Sequence, residues 1–206
     1  MEERDAGGRA GGLRPDRRLV AHARWIHRAV AAFLWLTLLL DAVLMATVLL
    51  RLGSVVGIAE GRIEFVLDYD RPIPPILDAG VSPGFVAISH FAAWQSLLAA
   101  VLLAFRLLPV LGILLSLRAL FGMYAGGLVF SARNSLLVRR IARSLVAYAL
   151  VPLVNFAVFV AAGMSDPVFE LEMRQIDALV VAIILFAVAH VVSFGCAIDA
   201  EREAFV

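Results

Sequence analysis

Residues 29–52 read AVAAFLWLTLLLDAVLMATVLLRL, twenty-four positions in which Asp41 is the one ionisable side chain before Arg51. A hydrocarbon core takes about 20 consecutive apolar residues as a helix. The stretch therefore predicts a membrane span. Asp41 stands eleven residues from both Val30 and Leu52, at its centre. A charge at that depth costs roughly 2.5–3.5 kcal/mol on insertion scales, so it requires compensation from another span.

The whole chain has the same character. Of its 206 residues 62% are hydrophobic and 17% charged, against about 45–50% and about 25% in soluble domains. A cytosolic enzyme or a disordered chain is excluded by that balance. The net charge is +1, without the clustered basic excess of a nucleic-acid footprint, so no direct nucleic-acid contact is expected. The single cysteine, Cys196, allows neither an intrachain disulfide nor a cysteine zinc site.

Outward from the first span the chain divides by composition. Residues 1–28 are polar, with 1–15 rich in glycine and arginine and expected to be disordered. Asp16 can cap a helix that begins near Arg17 and runs through Trp25 into the span over 29–52. Residues 53–86 hold four prolines and five acids. Within them Val55–Ala59 and Arg62–Leu67 alternate around Glu60–Gly61, which predicts a short hairpin. The run Pro72-Ile73-Pro74-Pro75 must be extended. A second span falls in 87–118, best as the window Trp94–Arg118, with Arg106 at its centre and Pro109 inside, where a kink is expected. A basic loop over 119–141 follows, then a third span over 142–163, a short loop over 164–175, a fourth span over 176–198 and a tail over 199–206.

Arginine, the sole basic residue type besides histidine, is sorted by side. The segments before the first span, between the second and third, and after the fourth hold 13, against four in the other two loops. The positive-inside rule then puts both termini in the cytoplasm. The expected fold is an all-α membrane protein, a four-helix transmembrane bundle with N-in/C-in topology and a short extracytoplasmic β-hairpin-like loop.

Each span carries one strongly polar residue near one plane: Asp41, Arg106, Asn155 and His190. An Asp41–Arg106 ion pair facing the bundle interior is expected, with Asn155 and His190 nearby. Two readings of this cluster stand. One is interhelical hydrogen bonding that fixes packing; the other is a proton relay or ligand site. His22 and His27 beside Trp25 read as interface residues. His90 and His190 lie at different depths, unlike the facing ligands of a bis-histidine haem. No HExxH, Walker or GxSxG motif occurs. No cofactor, metal or catalytic residue is expected.

In the middle loop, Gly126–Gly127 stops the preceding helix. Ser131 can cap the next, with Asn134 at the capping-box position. Arg139, Arg140 and Arg143 cluster beside the membrane. The loop reads as a basic connector on anionic headgroups, or as a docking surface for a protein partner built from Phe130, Ser131, Asn134, Arg139, Arg140 and Glu201.

The run Tyr124-Ala-Gly-Gly-Leu-Val-Phe130-Ser131-Ala-Arg-Asn134, with Leu137, Arg139 and Arg140 after it, resembles the middle-loop signature of a bacterial membrane family, domain of unknown function twenty-nine seventy-five in words. Gly195, Ile198, Glu201 and Val206 are similar to that family's closing signature. Phe205 stands where threonine is usual, Val192 replaces a common aromatic residue, and the first external loop is long. The likeness covers about residues 29–206 and implies a four-helix inner-membrane protein, often encoded beside a small helix-turn-helix regulator. It carries over no catalytic residue. The expected function is therefore non-enzymatic: an accessory subunit of a larger membrane complex, or the membrane partner of a cytosolic regulator, in contact with membrane lipids. The alternative is a small transporter or proton-coupled protein that uses the mid-membrane cluster.

Overall fold

A computed structural model describes residues 17–51, 56–59, 61–65, 85–126, 132–167 and 173–204. The expectations for the tail over 1–15, the cap at Asp16 and the extended Pro72–Pro75 run lie outside the described residues. Helix α1 (Arg17–Leu50) starts where the arginine-rich segment predicts and runs unbroken through the first span. It stops at Arg51, whose backbone adopts a positive φ of 53°. The Arg51 guanidinium then donates to the carbonyls of Ser89 (2.9 Å) and Phe91. That tie holds the outer end of the first span to the entrance of the second.

The second apolar stretch is not one helix from residue 87, so the boundary at 87 is too early, while the window Trp94–Arg118 lies inside a single helix. Val86–Ala87 is a strand (β3) and Ile88–His90 a single 3-10 turn; helix α2 covers Ala93–Ala125. The physical reason lies in the hydrogen bonds. The carbonyls of Ser89 and Phe91 are taken by Arg51, and the Ala92 amide donates to Gln95 Oε1 (2.8 Å). That reach back from the third helical position satisfies one of the orphan donors of a helix start. At the other end α2 outruns the expected boundary and stops with Gly126 as its cap. Helix α3 covers Ala132–Ala161, so the described parts of the basic middle loop are mostly helical extensions of two spans. Helix α4 covers Met173–Ala204, past the expected 176–198 at both ends.

The hairpin is present: β1 (Val56–Ala59) pairs antiparallel with β2 (Arg62–Phe65), Ala59 opposite Arg62. The β3 strand adds to the other edge of β1, with Gly57 opposite Ala87, in a three-stranded sheet of order β2-β1-β3. This third strand was hidden in an apolar run that reads as span. Val56 and Ile58 pack with Val48, Phe91, Leu102 and Phe159 in the main buried cluster, at the hairpin ends of α1, α2 and α3.

The extensive helix contacts join chain neighbours: α1 with α2, α2 with α3, α3 with α4. Consecutive helices run antiparallel, and α1 and α4 flank the row. Small residues make the seams, since lipid tails give no hydrophobic drive between helices and close backbone approach does. On α4 the buried positions are Gln175 at its start and then Ala178, Ala182 and Ala189. Between α2 and α3, a Cβ added at Gly112 would stand 2.5 Å from Ser144 Oγ. Ser116, buried beside it, donates its hydroxyl back to the Gly112 carbonyl (2.7 Å). Large apolar side chains meanwhile point outward, among them Phe33, Trp35 and Leu39 on α1 and Ile183 and Ile184 on α4. All four helices are long and apolar enough to cross a membrane. The molecule is a multi-pass membrane protein whose outer apolar surface is solvated by lipid.

The Gly112 seam is testable. Gly112→Val should cost about 1–3 kcal/mol, the usual range for overpacking, read as a lower thermal midpoint in detergent. Gly195→Val should be silent, because nothing stands within 4 Å of a Cβ there.

Candidate functional site

Residue counting puts Asp41 and Arg106 at one depth, and the interhelical contacts agree. At one end His27 Nδ1 donates to the Arg118 carbonyl (2.9 Å); at the hairpin end Arg51 reaches Ser89. Between these two ties α1 and α2 are held in antiparallel register, and Asp41 and Arg106 line one cavity of about 230 Å³ with Leu44, Leu103, Leu107, Val110 and Tyr148. His27 is thus an interhelical fastener, a role that residue counting at the membrane boundary does not supply.

The expected ion pair is corrected in its geometry. Asp41 and Arg106 face each other across the cavity and make no direct salt bridge among the described residues. Opposite charges on two walls of one cavity still attract through space. The physical reason is room: a water needs about 10–15 Å³ of such volume, so a cavity of about 230 Å³ allows each group to be hydrated.

Arg106 is shared with a second cavity of about 40 Å³ on the hairpin side, the outer side in the expected orientation. Its walls are Leu103, Arg106, Tyr148, Pro152 and Asn155 from α2 and α3, Gly61, Arg62 and Ile63 from the hairpin, and Arg174 and Gln175 from the start of α4. Leu103, Arg106 and Tyr148 form the partition between the two cavities. Asn155 is 7% exposed and Gln175 5%, and neither Asn155 Oδ1 nor Gln175 Oε1 has a hydrogen-bond partner. An unsatisfied buried polar group costs about 1–3 kcal/mol. Since an amide can turn end for end, both can offer N–H groups to whatever enters.

Two prolines add backbone polarity. Both α2 and α3 continue through their prolines, Pro109 and Pro152. Proline has no N–H, so the carbonyls of Phe105 and Tyr148, four residues earlier, lose their helical donor. These interruptions fall beside Arg106, at the middle of the spans.

The remaining expected residues are distributed differently. His190 is exposed on the outer face of α4 and is not part of the cluster, a correction. Its neighbour Ala189 faces α3, and adjacent helix positions differ by about 100°, which turns His190 outward. Asn134, expected on a docking surface, is 2% exposed and packs inside the first turn of α3, also a correction. The helix starts at Ala132, which turns that position to the neighbouring helices rather than to solvent. Arg139 is half-buried and Arg140 exposed. Phe130 and Ser131 lie outside the described residues, as does the Glu201 side chain, although Glu201 itself falls in α4.

Tyr148, Arg62, Arg174 and Gln175 were not singled out from the sequence. The last three sit at element ends, brought in by the hairpin and the start of α4. Tyr148 carries one signal: it precedes Pro152 by four residues, at the depth of Arg106.

No family model, curated protein or solved structure matches this chain.

Proposed function

We propose that this is a non-enzymatic protein of the bacterial cytoplasmic membrane, with both termini inside, that binds a small anion in the outer cavity. The observation that carries this reading is Arg106 on the partition, with Asp41 behind it and the Asn155 and Gln175 amides ahead. Among the described residues no acid lines the outer cavity, while Arg62, Arg106 and Arg174 do. Arginine offers five N–H donors and stays protonated. A volume of about 40 Å³ holds about three waters, the size of a halide or small oxyanion. Asp41 competes with the anion for Arg106, a coupling suited to a carrier or a sensor.

The test is a ligand-dependent thermal shift, since a ligand that binds the folded state raises its stability. Nitrate or formate, replacing gluconate at constant ionic strength, should raise the midpoint of the purified protein. Arg106→Gln should abolish the rise, and Arg118→Gln, far from both cavities, should keep it. An equal rise in Arg106→Gln, or none in wild type at 100-fold excess over protein, would sink the reading.

A second reading, as subunit or membrane partner, is favoured by α4. That helix makes its extensive helix contacts with α3 and leaves His190 on its lipid side, where a polar group is costly. A partner span that accepts the imidazole hydrogen bond would cover it. The motif resemblance adds a cytosolic regulator as a candidate partner. A photo-crosslinking residue at position 190 should then capture a discrete protein from membranes; capture of lipid alone counts against this reading.

A further inference from the structure

A third space lies between α2 and α3 on the side that the polar cavities do not use. It is an open groove of about 450 Å³, within the roughly 300–1,000 Å³ of ligand sites. Its walls are apolar over most of their length, with Phe105, Leu108 and Pro109 from α2 and Ala147 and Val151 from α3; Ser144 is the one uncharged polar side chain among them. Arg140 and Arg143 close one end.

The register of the two helices sets the depth of that end. Gly112 packs on Ser144, and the helices are antiparallel, so Val151 lies level with Phe105 and Arg140 about level with Ser116. Arg106 marks the middle of the spans. Arg140 is therefore about ten residues from the middle, or ~15 Å at ~1.5 Å per residue. Half of a ~30 Å hydrocarbon core is the same distance. The groove starts at headgroup level and ends at the bilayer midplane: it is one leaflet deep.

We infer that this groove is a binding site for an anionic phospholipid of the cytoplasmic leaflet. The phosphate sits on Arg140 and Arg143, and one acyl chain lies along Phe105, Leu108, Pro109, Ala147 and Val151. Three properties select this occupant over a partner helix. Charge is confined to one end. That end is at headgroup depth, and beyond Ser144 the rest is apolar. The length is that of one acyl chain and half that of a spanning helix. Both arginines are exposed; Arg143 donates from Nε only to the Arg139 carbonyl of its own helix, at 3.4 Å, which leaves its terminal nitrogens for a phosphate. Basic pockets between spans on the cytoplasmic side are suited to anionic headgroups. Pro109 contributes as well, since its ring and missing N–H part the helix surface at the deep end. This site is separate from the anion cavity and does not depend on it.

Native mass spectrometry of the full chain, titrated in detergent with phosphatidylglycerol or phosphatidylcholine, tests the site. Wild type should retain one phosphatidylglycerol in preference to phosphatidylcholine by about tenfold, a 1.4 kcal/mol difference. Arg140→Gln with Arg143→Gln should erase the preference without changing the thermal midpoint. Ala147→Trp, which fills the groove and keeps both arginines, should also remove the bound lipid. Inorganic phosphate at millimolar concentration should not displace it. The inference is overturned if the double variant keeps the preference, if the tryptophan variant keeps the lipid, or if phosphate alone competes it off.

Discussion

Exchanging the two mid-membrane charges, Asp41→Arg together with Arg106→Asp, should fold better than either single change by about 0.5–3 kcal/mol, the range of coupling between interacting sites. Arg106→Asp alone sets two carboxylates across one cavity of about 230 Å³, and Asp41→Arg sets two guanidinium groups there. Each single variant leaves like charges at a depth where one uncompensated charge costs roughly 2.5–3.5 kcal/mol. The exchange restores opposite signs at the same two positions. Because the groups act across the cavity rather than in contact, the recovery should be partial and should shrink in high salt where the cavity admits ions. Unfolding in a mixed detergent series, with the midpoint of each variant compared, reads the coupling directly. A double variant no more stable than the worse single variant would remove the electrostatic link between α1 and α2.

That prediction could be framed from residue counting, and it matters why. A helix rises by a constant step, and spans joined end to end by short contacts keep a common origin of depth. Arg51 and His27 supply those contacts, so Asp41 and Arg106 share a cavity, as equal counting predicts. The hairpin around Glu60–Gly61 was legible for the same local reason, an alternating pattern around a glycine turn. Orientation about the helix axis was not legible. In water, periodicity separates core from solvent; in lipid both faces are apolar, so the pattern around His190 carries no direction. The spacing of Ala178, Ala182 and Ala189 holds that information, because small residues mark close helix approach, and His190 falls one position off it. Asn134 misled for a related reason: a polar residue in a basic segment reads as surface, yet α3 begins ahead of it. Arg62, Arg174 and Gln175 come from segments far apart in sequence, and only the closure of the hairpin over α3 and α4 brings them to one cavity.

That closure depends on one backbone position. Gly61 adopts a φ of +73°, and a Cβ there would overlap the Phe156 side chain and stand 2.8 Å from its Cα. The Gly61 amide donates to Ser165 Oγ (2.6 Å), which latches the turn to the outer end of α3. Gly61→Val meets both constraints at once. A left-handed conformation costs a residue other than glycine about 1–3 kcal/mol, and a lost hydrogen bond adds about 1 kcal/mol. The cheapest relief is to lift the hairpin off α3, because moving the Phe156 backbone would distort a helix. The expected result is local opening with the four spans intact. In a Cys196→Ser background, Ile63→Cys is the probe, as Ile63 is partly buried against the main core cluster. Its labelling by a membrane-impermeant maleimide should accelerate about 10–100-fold when Gly61→Val is added, as about 1.4 kcal/mol corresponds to each tenfold. Gly61, Arg62 and Ile63 also wall the outer cavity, so the same substitution should remove the nitrate-dependent thermal shift while Arg106 and Asp41 stay in place. Faster labelling with an unchanged anion response would detach the hairpin from the site and leave Arg106, Tyr148, Asn155 and Gln175 as its working parts. Unchanged labelling would mean that the turn does not rest on Phe156.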